Sequence, residues 1–190
     1  MHLFNRLFSL SDKFVKRSFC FILASYLGFC LPVSHSVAKA DNMIEYQVKA
    51  AFIYNFVAFT HWPDSTGQTI NLCVYGEDYF GDEIDKLQSR PINKRHIQVM
   101  RIADPGKLKE CQAIFFSKSV SSHLSNILSD LQNEPILTFA DSPSATAQGV
   151  AINMSLINEK IVFEINLIRV RGSGLDISSK LLQLAVKVHQ

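Results

Sequence analysis

The 190-residue sequence lacks the residue spacings that would build a metal centre. It has six histidines and four cysteines, and none of them follows a CxxC or HxxxH spacing. Protein zinc sites commonly draw their His and Cys ligands from such short spacings. We therefore expect no metal site.

The sequence also lacks the motifs of common enzymes. Gly172-Ser173-Gly174 offers two glycines of a GxGxxG fingerprint, but Ile177 stands where the third would be. The same segment is not a GxSxG nucleophile elbow. We interpret it as a hinge before a last helix, and we expect neither catalysis nor a cofactor.

Positive charge is concentrated at the N-terminus and is scarce afterwards. Five of the 19 Lys and Arg but only one of the 17 Asp and Glu fall in residues 1–40, which leaves a net charge of −2 for residues 41–190. This balance argues against a nucleic-acid surface. No segment after residue 41 is long and apolar enough to span a bilayer.

The basic start is followed by an apolar run of about 13 residues (19–31) and by Ala38-Lys39-Ala40. This order predicts a secretory signal peptide over residues 1–40, cleaved near Ala40. The alternative is an uncleaved anchor, which would need about 20 apolar residues. Residues 41–190 are then expected to form a single domain outside the cytoplasm.

Only Cys73 and Cys111 remain after the predicted cleavage site. An exported pair without other partners favours a disulfide, and the alternative is two separate buried thiols. A bridge closing a loop of this length is worth about 4 kcal/mol in the chain-entropy description.

Helical and strand periodicities alternate along the rest of the chain. Apolar spacing predicts a helix over residues 43–61, capped by Asp41 or Asn42 and apolar nearly all round in its second half. Such a helix is buried or covered by a partner. Strands are predicted at 70–76, 96–102, 111–116 and 135–139, with helices at 80–87 and at 121–131, the latter capped by Ser121 or Ser122.

The C-terminal third follows a different pattern. Residues 149–157 and 160–167 alternate around Asn158-Glu159 and predict an antiparallel hairpin, followed by a loop over 169–175 and a helix over 178–188. The predicted fold class is therefore α/β, a largely parallel sheet flanked by helices with an antiparallel hairpin at its C-terminal edge.

Glu164 is the one acidic residue inside an apolar strand. Two interpretations stay open: a solvated strand face, or a polar strip that pairs with Arg169, Arg171 or a partner's charge. Because polar groups at a strand edge and its loop are not all used internally, we expect a partner-binding surface here. Its predicted residues are Glu164, Asn166, Arg169, Val170 and Arg171.

Several segments resemble the YfiR family of periplasmic regulators. They are residues 48–56 with His61-Trp62-Pro63, residues 72–76 with Phe80-Gly81, residues 163–167 and residues 173–185. Together they cover essentially the whole chain after residue 40. The resemblance implies a periplasmic protein that binds the periplasmic part of an inner-membrane diguanylate cyclase and represses cyclic-di-GMP synthesis and biofilm formation.

The resemblance has further implications. Some family members respond to an outer-membrane, peptidoglycan-associated lipoprotein and to the redox state of their cysteines. Cys73 and Cys111 match one family disulfide, whereas residues 145–155 lack the second pair of some relatives. The alternative function is a periplasmic small-molecule sensor with its ligand at the carboxyl edge of the sheet. The sequence leaves open the identity of the cyclase and the oligomeric state, a homodimer included.

Overall fold

The computed structural model describes residues 37–190, with side chains from residue 42 onward. Apart from its last four residues, the predicted signal peptide lies outside the described part, and the predicted domain boundaries remain predictions. Within this part of the chain, no helix has both the length and the apolarity to cross a membrane.

Short helices and strands alternate along the chain. The strands are β1 (Thr60–His61), β2 (Thr69–Tyr75), β3 (Pro91–Ile92), β4 (Arg95–Ile102), β5 (Ala113–Phe116), β6 (Leu137–Ala140), β7 (Ile152–Ile157), β8 (Lys160–Asn166), β9 (Asp176–Ile177) and β10 (Lys187–His189). The α-helices are α1 (Val37–Ala58), α2 (Asp82–Asp85), α3 (Leu124–Asp130), α4 (Leu167–Gly172) and α5 (Ser179–Leu182). The segments Asp64–Thr66, Lys86–Ser89, Pro105–Glu110 and Lys118–His123 form 3₁₀ helices.

Eight strands form one mixed sheet in the order β10-β8-β7-β6-β5-β2-β4-β3. Strands β4, β2, β5, β6 and β7 run parallel, as expected where helical segments connect successive strands. Strands β7 and β8 form the antiparallel hairpin. This arrangement confirms the predicted α/β fold class.

The hairpin turn follows from its two central residues. Asn158 and Glu159 both have positive φ, 48° and 61°. A two-residue turn of this handedness matches the twist of the flanking strands. The hairpin is not at the sheet edge, however, because β10 pairs in parallel with β8 and takes that place.

Five further predictions are wrong. Helix α1 begins at Val37, so neither Asp41 nor Asn42 caps it. Helix α1 ends at Ala58 rather than residue 61, because Thr60–His61 pairs with Asp176–Ile177. The last predicted helix ends at Leu182, and part of the predicted 169–175 loop belongs to helix α4. The cap predicted at Ser121 or Ser122 also lies elsewhere. Ser117 precedes the 3₁₀ helix Lys118–His123, which leads into α3, and its hydroxyl accepts from the Ser119 N–H.

The sheet separates two hydrophobic clusters. Alternate strand residues point to opposite faces, so Val74 and Phe115 belong to one cluster and Cys73 and Phe116 to the other. Buried residues of α1 pack on the first face. The Cys73–Cys111 disulfide lies in the second, with 6.0 Å between the Cα atoms, which confirms the predicted pairing.

Candidate functional site

Glu164 of β8 is bonded within the chain. Its carboxylate accepts from the Thr146 hydroxyl at 3.3 Å and lies 2.8 Å from Nε2 of His189 on β10. The bond to His189, followed by the bond to Thr146, lowers the pKa of Glu164. Glu164 therefore pairs with His189 rather than with Arg169 or Arg171.

Asn166 ends β8 and starts α4. Its Oδ1 accepts from the Arg169 N–H at 3.0 Å, and its Nδ2 donates to the Thr146 carbonyl at 3.1 Å. Asparagine is a favoured N-cap residue, because its side chain satisfies an N–H of the first turn. Asn166 is therefore the residue from which helix α4, absent from the sequence prediction, could have been predicted.

Arg169 and Val170 hold α4 against the rest of the domain. Arg169 Nη2 donates to the Leu131 carbonyl at 3.0 Å, and burial lowers the pKa of its guanidinium. Val170 has no exposed surface and belongs to the core. Its side chain cannot contact a partner in this conformation.

Among the five residues predicted to bind a partner, Arg171 has an exposed side chain. Ile168, one helical turn earlier, is 66% exposed, and Gln190 is exposed beside it. Together with Leu167 they line an open cavity of about 460 Å³. We call Ile168, Arg171 and Gln190 the α4 surface. Partner binding by the five residues stays a prediction.

The α4 surface combines two features of protein-binding sites. An exposed aliphatic side chain offers apolar area, and an arginine can form paired bonds with a carboxylate. Ile168 could not be identified from sequence, because its exposure depends on the unpredicted helix α4.

The carboxyl edge of the parallel strands holds a second group of polar residues. Asp141 directly follows β6, and its Oδ2 accepts from Tyr46 Oη at 2.5 Å and Lys49 Nζ at 2.6 Å. Both donors belong to α1, and Lys49 also pairs with Glu45. Burial, followed by the bond to Asp141, raises the pKa of Tyr46. Helix α1 thus fills this part of the edge with its own side chains.

Two polar atoms at this edge have no hydrogen-bond partner among the described residues: Asp141 Oδ1 and Ser142 Oγ. The Asp141 side chain is 1% exposed, so an unmet acceptor there is costly unless a water or another molecule serves it. In the described part of the chain, no group of three or more His, Cys, Asp or Glu could hold a metal ion.

The described fold is an α/β sheet flanked by helices, with the exposed α4 surface next to its C-terminal strands. Residues 46–186 match the sequence model of the family described as YfiR/HmsC-like. The chain belongs to the YfiR/HmsC-like family. At the level of the family, this is a group of periplasmic, non-catalytic regulators of cyclic-di-GMP signalling.

Solved structures similar to this chain share little sequence with it. A conserved domain protein from Vibrio cholerae O1 biovar El Tor is 8% identical, with a TM-score of 0.49 and coverage of 75% of this chain and 60% of that one. The ABC domain from Streptococcus pneumonia, in complex with L-Trp, is 10% identical, with a TM-score of 0.51 and coverage of 73% and 60%. The chain thus spans about 60% of the length of both, and the second likeness shows a shared fold only. A search of curated proteins found no match.

Proposed function

We propose that this chain is exported, cleaved near Ala40, and acts in the periplasm as a negative regulator of an inner-membrane diguanylate cyclase. It binds the periplasmic part of the cyclase, holds it inactive, and so represses cyclic-di-GMP synthesis and biofilm formation. The observation that carries this proposal is the match of residues 46–186 to a regulatory family.

Repression of this kind needs only a difference in binding affinity. A regulator that binds the inactive cyclase more tightly shifts the equilibrium by that difference. Converting a mostly active population to a mostly inactive one takes about 5 kcal/mol. One protein interface of ordinary size can supply this amount.

We place the contact with the cyclase at the α4 surface. Arg171 and Ile168 are the exposed side chains there, and Glu164, Asn166 and Arg169 support them through bonds to other parts of the chain. In this proposal Arg171 bonds a carboxylate of the cyclase, and Ile168 packs against an apolar side chain. Val170 contributes by anchoring α4 in the core.

A pull-down from detergent-solubilised membranes tests the assignment, with residues 41–190 as bait. Ile168→Glu and Arg171→Glu should each lose the cyclase, because each places a negative charge on the contact. Lys94→Glu is the matched control: Lys94 is exposed in the turn between β3 and β4, and its replacement should leave capture unchanged. Capture of the cyclase by both α4 variants at the wild-type level would remove the α4 surface from the proposal.

A second candidate function is small-molecule sensing at the carboxyl edge of the sheet. Two buried polar atoms without a partner, Asp141 Oδ1 and Ser142 Oγ, favour it, and α/β sheets commonly bind ligands at this edge. The occupation of Asp141 Oδ2 by Lys49 and Tyr46 weighs against it. Calorimetry with nucleotides and aromatic amino acids, repeated on Ser142→Ala, separates a site at this edge from binding elsewhere.

A further inference from the structure

The C-terminal strand β10 forms one end of the eight-stranded sheet. It has three residues and pairs in parallel with Glu164–Asn166 of β8. Its residues are exposed or half-buried, and in the part of the chain that the structure describes no residue after Leu181 is buried. Burial of apolar side chains therefore contributes little to holding β10 in place.

Polar contacts tie β10 to the sheet instead. The Val186 N–H donates to the Phe163 carbonyl at 3.0 Å, which starts the backbone pairing with β8. At the far end of the strand, His189 Nε2 lies 2.8 Å from Glu164 Oε2. These two side chains are 31% and 35% exposed, so water reaches both. A contact this accessible to water stabilises only weakly, and chain termini are where local opening concentrates.

The register of β10 shows what the edge of β8 accepts. Val188 lies opposite Ile165, which is buried in the first hydrophobic cluster, whereas Lys187 lies opposite Glu164. Alternate residues of a strand point to opposite faces, so Lys187 and His189 share the face of Glu164 and Val188 shares the other. The edge of β8 thus fits an extended segment with an aliphatic residue between two basic ones.

This edge adjoins the α4 surface. Asn166 ends β8 and caps α4, and Gln190, directly after β10, lines the cavity beside Ile168 and Arg171. Release of β10 would therefore uncover the backbone of Glu164–Asn166 and also remove Gln190 from the α4 surface. Both changes occur on one continuous part of the molecule.

We infer that β10 is a displaceable strand that masks a binding edge on β8, and that this edge takes an extended segment of another protein as a parallel strand. Open sheet edges pair readily with other chains, which is why proteins cover them. Addition of a strand to such an edge is a recurrent mode of peptide recognition. The incoming segment carries the pattern of β10, with a basic residue opposite Glu164. This inference does not depend on the proposed function.

Hydrogen exchange on residues 41–190 tests whether β10 opens by itself. The amides of residues 186–190 should exchange at least ~100-fold faster than the paired amides of the β7–β8 hairpin, because they open locally. His189→Ala should speed their exchange about threefold further, the scale of an exposed polar contact. His123→Ala is the matched control, since His123 is exposed and bonds its neighbour Ser122. Equal protection of β10 and the hairpin, or no effect of His189→Ala beyond that of His123→Ala, would overturn the inference.

A peptide tests whether the edge accepts a strand from outside. Val188→Pro removes a backbone N–H from β10 and should leave the edge of β8 open. In NMR spectra of this variant, ~1 mM of a peptide with the sequence of residues 183–190 should shift the amide signals of residues 163–167, and should shift them less in the wild-type chain. The same peptide with proline at the position of Val188 is the matched control. No shifts, shifts outside β8, or equal shifts with the proline peptide would contradict the inference.

Pairing of β10 with a second copy of this chain is the competing outcome. It would make the hydrogen exchange of residues 186–190 slower as the protein concentration rises from ~10 to ~300 μM, because association follows mass action. We expect the same exchange rates across this range. A decrease would assign the edge to a second copy and would overturn the inference of a different partner. This measurement uses the wild-type chain and does not depend on how well Val188→Pro folds.

Discussion

Replacing Lys49 by methionine should destabilise the chain by about 3–5 kcal/mol, the range for breaking a buried ion pair. The Lys49 and Asp141 side chains are 3% and 1% exposed, and their charged atoms are 2.6 Å apart. Without Lys49, the Asp141 carboxylate would keep a single donor, the Tyr46 hydroxyl, in a site closed to water. The variant leaves the volume of the side chain nearly unchanged, so the loss reports mainly on charge.

Urea unfolding of residues 41–190 with the disulfide intact measures this cost. For a chain of this size, each kcal/mol lowers Tm by about 2–4 °C, so a drop of roughly 6–20 °C is expected as well. Lys86→Met is the control, because Lys86 pairs with Glu83 while its side chain is 62% exposed. Surface pairs of this kind contribute at most about 1 kcal/mol.

The double variant Lys49→Met/Asp141→Leu distinguishes charge from packing. Replacing both members of a buried pair by apolar residues is often nearly neutral, so the double variant should be more stable than Lys49→Met alone. A coupling energy of at least about 2 kcal/mol is expected between the two sites. If Lys49→Met costs no more than Lys86→Met, the pair is solvated and the described burial of Lys49 is wrong.

Three further predictions concern other contacts. Non-reducing mass spectrometry should find Cys73 and Cys111 bonded, and replacing Cys73 by serine should cost about 4 kcal/mol in urea unfolding; two free thiols in the exported protein would refute the pairing. Because the pKa of Glu164 is lowered in the folded chain, its stabilising contribution is present above its ordinary pKa of about 4.5 and is lost as the pH falls through the folded value. Glu164→Gln should therefore be less stable than wild type at neutral pH, and the difference should shrink as the pH falls below about 4.5; a difference that stays constant as the pH falls would contradict this account. Arg101→Met should cost about 1 kcal/mol, since Arg101 bonds two partly exposed carboxylates; no change in the urea midpoint would mean that this network does not stabilise the fold.

The sequence predicts the parallel strands well because their local signals agree. Strands β5 and β6 are short, largely apolar runs that are buried on both faces, and such runs cannot remain in solvent. The hairpin was equally clear, since alternation on both sides of Asn158-Glu159 fixes its register. These features depend on residues that are close together in sequence.

The C-terminal elements depend on contacts that the sequence does not show. Residues 183–188 have helical spacing, but Lys187–His189 finds open backbone groups along β8 and pairs with them instead. Sheet pairing with a distant strand outweighs weak local helix preference there. The partner of Glu164 was missed for the same reason, because β10 delivers His189 to it.

Helix α1 shows a different limit. Its apolar spacing correctly predicted a helix, but it could not tell which apolar face points inward. The inward face is the one with Tyr46 and Lys49, because Asp141 lies at the end of β6 and receives both. The bonds to this carboxylate and the burial of Ile53 and Phe56 keep the same face inward, and they leave Ile44 and Val48 exposed.

The central claim, repression of a diguanylate cyclase, is tested most directly by measuring cyclic-di-GMP in cells that lack this chain. Deletion should raise cyclic-di-GMP and surface attachment while the partner cyclase is intact, and re-expression of the wild-type chain should lower both again. In a strain that also lacks the cyclase, deletion should change neither. Unchanged cyclic-di-GMP after deletion in the presence of the intact cyclase would contradict the proposed function.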